Sequence, residues 1–384
     1  TSLNQHQGLH FVPLRDKFDV VDDHGYHDHR SYVKINGRTV NGHTQRSAIA
    51  TLSYMPRQMM TTRNPGKPFF MTEFNHCRPN RFRAESGPMM GGYAALQNWD
   101  GLYRFCYSHT IERIRKNTIS VSCFESVADP IMQLSDRIIA MLFLRGDVRP
   151  AQEVFSMAVP ENVLDSRLAL NFPLKFQMLG FVTGIGSHVA GHSLPPGVAP
   201  VSPEVDFNDV GRNAALWKEM MEKRRTVSAT GELKIDAPSG TLAIRTPRSE
   251  SVTLPNGDLA TGGVLCVREV STHATVAALS LDGRKLTESR SILLLHLTDV
   301  SNSDATFFDS DCRLVNRQGK LPLLVRRGSA EVTLKVAPGA PLQVQALSAD
   351  GDVLGKLPVP GNTFTIATDR FPGGVLAWHV TRQE

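Results

Sequence analysis

The sequence predicts an α/β region followed by an all-β region. Short strand-like runs alternate with helix-like stretches over the first 150 residues, which reads as βαβ units on a parallel sheet. After about residue 236, short apolar runs recur between turn signals, the pattern of a β-sandwich. Composition shifts near residue 226: the earlier part is rich in Met, Phe, Arg and His. At 384 residues the chain has room for two or three domains of roughly 150 residues each.

Three strands are expected in the first part, at Phe18-Asp19-Val20-Val21, Pro68-Phe69-Phe70-Met71-Thr72 and Leu102-Tyr103-Arg104-Phe105-Cys106-Tyr107. Three helices are expected as well. Pro88 to Asn98 carries Met89, Tyr93, Ala94 and Leu96 as apolar positions, with Gly91 and Gly92 weakening its start. Asp129 to Leu144 opens on an N-cap aspartate followed by Pro130, and Ile131, Leu134, Ile138, Met141 and Leu142 recur at helical spacing. Asn213 to Lys223 is charged, with an exposed side. Leu168 to Val189 is apolar and contains glycines; it either wraps the first region or bridges to the second.

In the second part, strands are expected at Thr241–Ile244, Gly263–Val267, Ala274–Leu279 and Ser291–Leu297. Further ones follow at Glu331–Val336, Leu342–Ala346, Thr363–Ile366 and Val375–Val380. Pro255-Asn256-Gly257-Asp258, Asp282-Gly283 and Gln318-Gly319 are the turns between them.

Polar and aromatic groups crowd the ends of the three early strands: Asp22 to His29, then Thr72-Glu73-Phe74-Asn75-His76, then Tyr107-Ser108-His109. A carboxylate placed directly after an apolar strand projects into the mouth of a sheet, and Glu73 fits that position.

These residues resemble a known family. Lys67 to Asn75 resembles the seventh strand of the retaining (β/α)8 glycoside hydrolases, where a strand-end Glu is the nucleophile. Phe18 to Tyr26 is similar to their sixth strand, which often ends in a His-x-Tyr lining the sugar site. Ala94 to Leu102 is similar to the passage into the eighth strand of β-galactosidase- and agarase-like members. The resemblance covers residues 1–150 and implies the C-terminal part of a (β/α)8 barrel there, then a connecting segment at 151–235 and β-sandwich modules at 236–384.

The resemblance implies hydrolysis of a β-linked galactoside or related polysaccharide. Glu73 would attack the anomeric carbon to form a glycosyl-enzyme, and a second carboxyl about 5–5.5 Å away would serve as acid and then base. It further implies that His24, Tyr26, Asn75, His76, Tyr107 and His109 face the substrate, with no metal and no cofactor. In these enzymes the acid/base is a Glu that follows an Asn, and no Asn-Glu dipeptide occurs in this chain. Thr1 to Asn4 resembles the end of a fifth strand, so the acid/base is expected upstream, on a companion fragment or chain that completes the barrel. Half a barrel would expose sheet edges and apolar surface. The alternative is a non-catalytic carbohydrate-binding or scaffold protein that keeps a barrel remnant.

Plainer readings stand beside these. Glu73 could sit in a structural ion pair, and His24 with Tyr26 could be a satisfied polar pair. Asn75 and His76 could only shape a loop. His24, His27, Asp28 and His29 could ligate a metal, yet four residues so close in a loop converge poorly. Trp99 reads as a core residue, and Arg81, Arg83 and Glu85 as a solvated loop.

Other classes lack support. The five cysteines are widely spaced, form no CxxC pair and read mostly as buried thiols. The net charge of +5 is small and scattered, and basic residues do not alternate with aromatics, which argues against nucleic acid. The longest apolar run, Ile138 to Leu144, is too short for a membrane span. Neither a GxGxxG, a Walker sequence nor a GxSxG elbow is present.

Overall fold

A computed structural model describes residues 8–115, 123–165, 171–259, 263–339 and 341–382. The Thr1 to Asn4 strand end and the first residues of the Leu168 to Val189 run lie outside this description.

The fold is α/β followed by a β-rich part. Strand Phe69–His76 lies between Val21–His27 and Gly101–Arg104 and is parallel to both. Among the described residues these strands form an open sheet, and no barrel closes around them. Of the two sheet edges, Gly101–Arg104 is partly open, with Tyr103 55% exposed, and the other is covered. Val21–His27 is an edge strand yet is buried along its whole length. Its edge groups find side-chain partners: Tyr26 N–H donates to the Tyr54 hydroxyl at 3.0 Å, and His24 N–H to Asp23 Oδ1 at 2.8 Å.

The strand limits differ from the expected ones. Phe18 to Val20 precedes the first strand, which runs through the polar residues instead of ending before them. The second likewise continues to His76, and the third stops at Arg104, leaving Tyr107 and His109 in the following loop. Between the first two strands sits a hairpin, Ser31–Ile35 paired with Arg38–Gly42. Its turn is Asn36-Gly37, both at positive φ, the strongest short hairpin signal a sequence offers.

Helix Ser86–Leu96 joins the second and third strands and is buried throughout. Its glycines are contacts, not breaks. A Cβ on Gly91 would lie 3.0 Å from Ile139 Cα, and one on Gly92 would lie 2.7 Å from Ile244 Cδ1. The helix is therefore wedged between helix Pro130–Ile139 and strand Thr241–Arg245. Asp129 caps the former as expected, accepting from Ile131 and Met132 N–H at 3.1 and 3.2 Å.

Residues between 151 and 225 hold a second parallel sheet, ordered Gly184–Val189, Val154–Val159, Val198–Val201. It packs on the first region. Ser187 N–H donates to Arg63 O at 2.8 Å, and Gln97 bridges Gly180 O, Thr183 O and Ile185 N–H at 2.8–2.9 Å.

The β-rich part is a nine-stranded antiparallel sheet facing a four-stranded one. Side chains alternate along its strands. Val276, Ala278, Ile292 and Leu294 enter a core shared with Val267, Val332 and Ile366 of the smaller sheet. Ala277, Leu279, Leu295 and Leu297 enter the core that also holds Met90, Tyr93 and Ile138. The central strands of the large sheet are thus buried on both faces, one as a sandwich and one as the floor under the helices.

Candidate active site

The second parallel strand carries an irregularity at its centre. Asp23 is opposite Met71 and His24 is opposite Glu73, so Thr72 has no partner residue. Such a bulge re-aims the side chains beside it. Here it turns Glu73 toward Tyr26 and His24. The Tyr26 phenol donates a short hydrogen bond to Glu73 Oε2, and His24 Nδ1 lies 3.4 Å from the same oxygen. The bulged residue steadies the histidine: Thr72 Oγ1 donates to Asp22 Oδ2 at 2.7 Å and lies 2.7 Å from His24 Nε2. Since the hydroxyl proton goes to Asp22, His24 Nε2 carries the proton in its bond to Thr72. Burial, and then the bond to Glu73, raise the Tyr26 phenol, which stays a neutral donor.

Glu73 keeps 27% of its side-chain surface, while His24 and Tyr26 are 5% exposed. One carboxylate oxygen is thus held from behind and the group still reaches solvent. This is neither a buried ion pair nor a free surface acid.

An aromatic wall stands beside Tyr26. Phe124 packs edge-on at 5.1 Å, Phe105 at 6.4 Å and His29 at 5.4 Å. Asn75 sets that wall: its amide donates to Phe105 O and Phe124 O, both at 2.6 Å, and its oxygen accepts from Arg104 at 2.9 Å. Asn75 and His76 have no exposed surface, so the expected sugar contact is corrected to a supporting position for both. His76 stacks against His27 at 5.0 Å, and burial pushes its imidazole well below the usual histidine range.

Beyond the third strand, His109 donates its N–H to Glu125 Oε1 at 2.8 Å, places Nδ1 2.8 Å from the same oxygen, and faces the Phe105 ring at 5.6 Å. Glu125 is fully buried and also pairs with Arg113 at 2.5 Å. Tyr107 is 57% exposed; its carbonyl accepts from Val127 N–H. The structure brings Glu73, His24 and Tyr26 together and leaves Tyr107 and His109 at the rim.

The remaining members of the polar cluster go separate ways. His27 contacts Ser53 Oγ and Arg46 O, and Asp28 accepts from Thr44 N–H, Gln45 N–H and Asn80 Nδ2. Trp99 is a core residue, packed on Phe69 at 5.2 Å. The solvated-loop reading of Arg83 and Glu85 is overturned, for both are buried. Arg83 lies 3.3 Å from both Asp129 and Asp299, and Glu85 accepts from Ser47 Oγ and Ile49 N–H. The cysteines are all free: Cys77 and Cys123 are buried, while Cys106, Cys266 and Cys312 are half-buried, more open than expected. Burial and the Glu125 carboxylate push the Cys106 thiol up to about 11.

Glu125, Phe105, Phe124 and Arg104 were missed as site residues. Phe105 and Arg104 lay inside the run read as the third strand; nothing in the local pattern marks Phe124 or Glu125.

No family model matches the chain, and no curated protein matches it. A solved structure that the chain is similar to is a monomeric beta-xylosidase from Caulobacter crescentus CB15, at TM-score 0.26 and 8% identity. The match covers 99% of this chain and 60% of that one, so the chain spans less than two thirds of that protein. Likeness at this level bears on neither fold nor chemistry.

Proposed function

We propose that this chain carries the nucleophile side of a retaining β-glycosidase, with the three parallel strands as the C-terminal part of a (β/α)8 barrel. The observation that supports this is the seating of Glu73, held on one oxygen by Tyr26, flanked by His24, and open to solvent on its other side. A nucleophile needs that combination: one fixed orientation and one unhindered oxygen.

Glu73 attacks the anomeric carbon of a β-linked galactoside or related sugar and forms a glycosyl ester, while the glycosidic C–O bond breaks and the leaving oxygen takes the proton of the acid/base carboxyl. Tyr26 holds the carboxylate on line and stays protonated, and His24 lies beside the same oxygen and the sugar. Tyr107 and His109 border the sugar from the rim. The acid/base carboxyl, about 5–5.5 Å from Glu73, comes from a segment outside this chain. Among the described residues of the same sheet, Asp22 is already engaged by Thr72 and Asp23 lies beside Arg15.

The test uses dinitrophenyl 2-deoxy-2-fluoro-β-glycosides of galactose, glucose and xylose. Their leaving group departs without a proton, so the label forms without the acid. The peptide containing Glu73 should gain one fluoroglycosyl mass, and Glu73→Gln should gain none. The sugar that labels fastest sets the specificity. Labelling elsewhere, or none by any of the three, would favour a non-catalytic carbohydrate-binding protein.

A further inference from the structure

Two excursions meet beside the aromatic wall. One is the hairpin Ser31–Gly42 and the loop after it. The other is the stretch from Val300 to Val325, which leaves the sandwich between its strands Ser291–Leu297 and Ser329–Leu334. Backbone and side-chain bonds join them: His43 N–H to Arg313 O at 2.8 Å, Gln45 Nε2 to Cys312 O at 2.9 Å and Arg38 to Asn316 O at 3.1 Å.

The seam between them is hollow. A cavity of about 510 Å³ is lined by Arg38, Arg317 and Lys320 among others. A second, of about 40 Å³, shares Arg317 and Gln318 with the first and adds Arg78, Phe307 and Cys123. A third, of about 320 Å³, shares Pro79 and Phe307 with the second and adds Arg81 and Arg326. The shared residues make the three hollows neighbours along one grooved seam, and the outer two volumes are those of ligand sites.

The charge of this groove is one-sided. Its lining holds six Arg and Lys side chains against two carboxylates, Asp299 and Asp304. Lys320 pairs with Asp304 at 2.8 Å, Arg326 with Asp299 at 3.6 Å, and Arg78 with Asp129 at 3.4 Å. Arg38, Arg81 and Arg317 have no carboxylate partner among the described residues. Arg38 and Arg81 are each positioned by a backbone carbonyl, Asn316 O and Asp311 O, which leaves most of each guanidinium fork unused. Like charges gathered from segments some 280 residues apart repel one another, and a bound anion would relieve that repulsion.

Side-chain packing links the groove wall to Glu73. Cys123 lines it, the adjacent Phe124 packs on Tyr26 at 5.1 Å, and Tyr26 bonds Glu73. We infer that the groove binds an anionic polysaccharide, whose sulfate or carboxylate groups meet Arg38, Arg81 and Arg317 while Phe307 covers a sugar face. Planar forks suit both anions, and an aromatic ring between them suits a sugar backbone. This names the substrate class of the proposed glycosidase and rests on that reading.

The experiment is affinity electrophoresis of the full chain as Glu73→Gln, which binds without cleaving. The gels contain a sulfated galactan, the same galactan desulfated, or polygalacturonate. Retardation by the sulfated galactan, by polygalacturonate or by both, but not by the desulfated chain, is expected, and the stronger of the two anionic gels identifies the anion. Arg38→Ala, Arg81→Ala and Arg317→Ala together should weaken retention by about tenfold or more. Arg284→Ala with Lys285→Ala, exposed on a turn outside the groove, should not. Equal retention by the desulfated galactan, no retention by any gel, or a triple variant that folds and binds as the parent would overturn the inference. Fluoroglycoside labelling of Glu73 is read separately. Label without retention removes the groove alone, and retention without label removes the hydrolase and leaves a binding protein.

Discussion

Two strands of this protein are seven residues long and buried at every position. One reads Val-Asp-Asp-His-Gly-Tyr-His, from Val21 to His27; the other reads Ala-Thr-Val-Ala-Ala-Leu-Ser, from Ala274 to Ser280. The second is placed by alternation, one set of side chains entering the sandwich and the other the helical floor. The first cannot be placed that way. Each polar side chain must bring its own partner: Arg15 for Asp23, Thr72 for Asp22 and His24, Ser53 and Arg46 O for His27. Apolar burial stabilises wherever it occurs, whereas polar burial does so only when the partners are complete. The polar strand therefore spends stability on geometry, and that geometry surrounds Glu73.

The largest test of this contrast is to remove one partner. Asp23 has no exposed surface, and burial pushes its carboxyl up against the opposing pull of Arg15. Arg15→Met should cost about 3–5 kcal/mol by leaving a buried carboxylate without its cation. The loss should depend on pH. A carboxyl whose folded pKa lies above its unfolded value keeps full stability below that value and loses it as pH rises. Chemical denaturation should therefore find the variant closer to the parent near pH 4 than near pH 8. A penalty equal at both would show that Asp23 is not the residue left uncompensated.

How much could be read beforehand follows the same division. The sandwich strands and helix Pro130–Ile139 were legible because alternation and an Asp-Pro cap are local signals. Glu73 was legible as a strand carboxylate, but its environment was not. The bulge at Thr72, the partners of Asp23 and the burial of Arg83 and Glu85 all depend on segments distant in sequence. Charged residues default to the surface in any sequence reading, so a buried arginine network is invisible until its acids are placed. The second parallel sheet escaped for a different reason: Gly184–Val189 is short, glycine-containing and buried on both faces, so it shows no alternation.

The sandwich has one departure from its own rule, and it gives the next effect. His296 lies on the face that enters the sandwich core, wholly buried, and neither ring nitrogen has a hydrogen-bond partner among the described residues. Burial pushes its imidazole down to about 4. Above about pH 6.5 it is neutral in both states, so nothing is lost. Between about 6.5 and 4 the unfolded chain takes up a proton that the folded one refuses, and stability falls by about 3 kcal/mol across that window. His296→Leu should flatten the pH dependence of the unfolding midpoint there. An unchanged slope would place the acid sensitivity elsewhere.

In the polar strand, the matching single-atom change acts on rate instead. Tyr26→Phe deletes the phenol that bonds Glu73, a charge-assisted bond of about 1.5–3 kcal/mol. Fluoroglycoside labelling of Glu73 should slow by about 10–100-fold. The melting temperature should change little, because the part-exposed carboxylate regains water. A large loss of stability with unchanged labelling would make Tyr26 a core residue and nothing more.

The smallest effect lies at a sandwich turn and shows polar order where burial is slight. Asp282 Oδ1 accepts from Ser280 Oγ, Ser289 Oγ and Arg284 N–H at 2.8–3.2 Å, and Oδ2 accepts from Arg290 N–H at 2.8 Å. Partial burial works against ionisation, yet these donors outweigh it and hold the carboxyl down to about 2. Asp282→Asn keeps the first set but turns an amide N–H₂ toward Arg290 N–H, which should cost about 1 kcal/mol. The sign here differs from Asp23. A depressed carboxylate stabilises above its unfolded value near 4, and that contribution is lost as pH falls from about 4 to about 2. The windows of His296 and Asp282 thus meet without overlapping. Stability plotted against pH should therefore lose part of its slope in the upper window with His296→Leu and in the lower window with Asp282→Asn. If Asp282→Asn altered the slope in the upper window, the turn and the core would be coupled, and polar groups could not be ranked by burial in the way the two strands suggest.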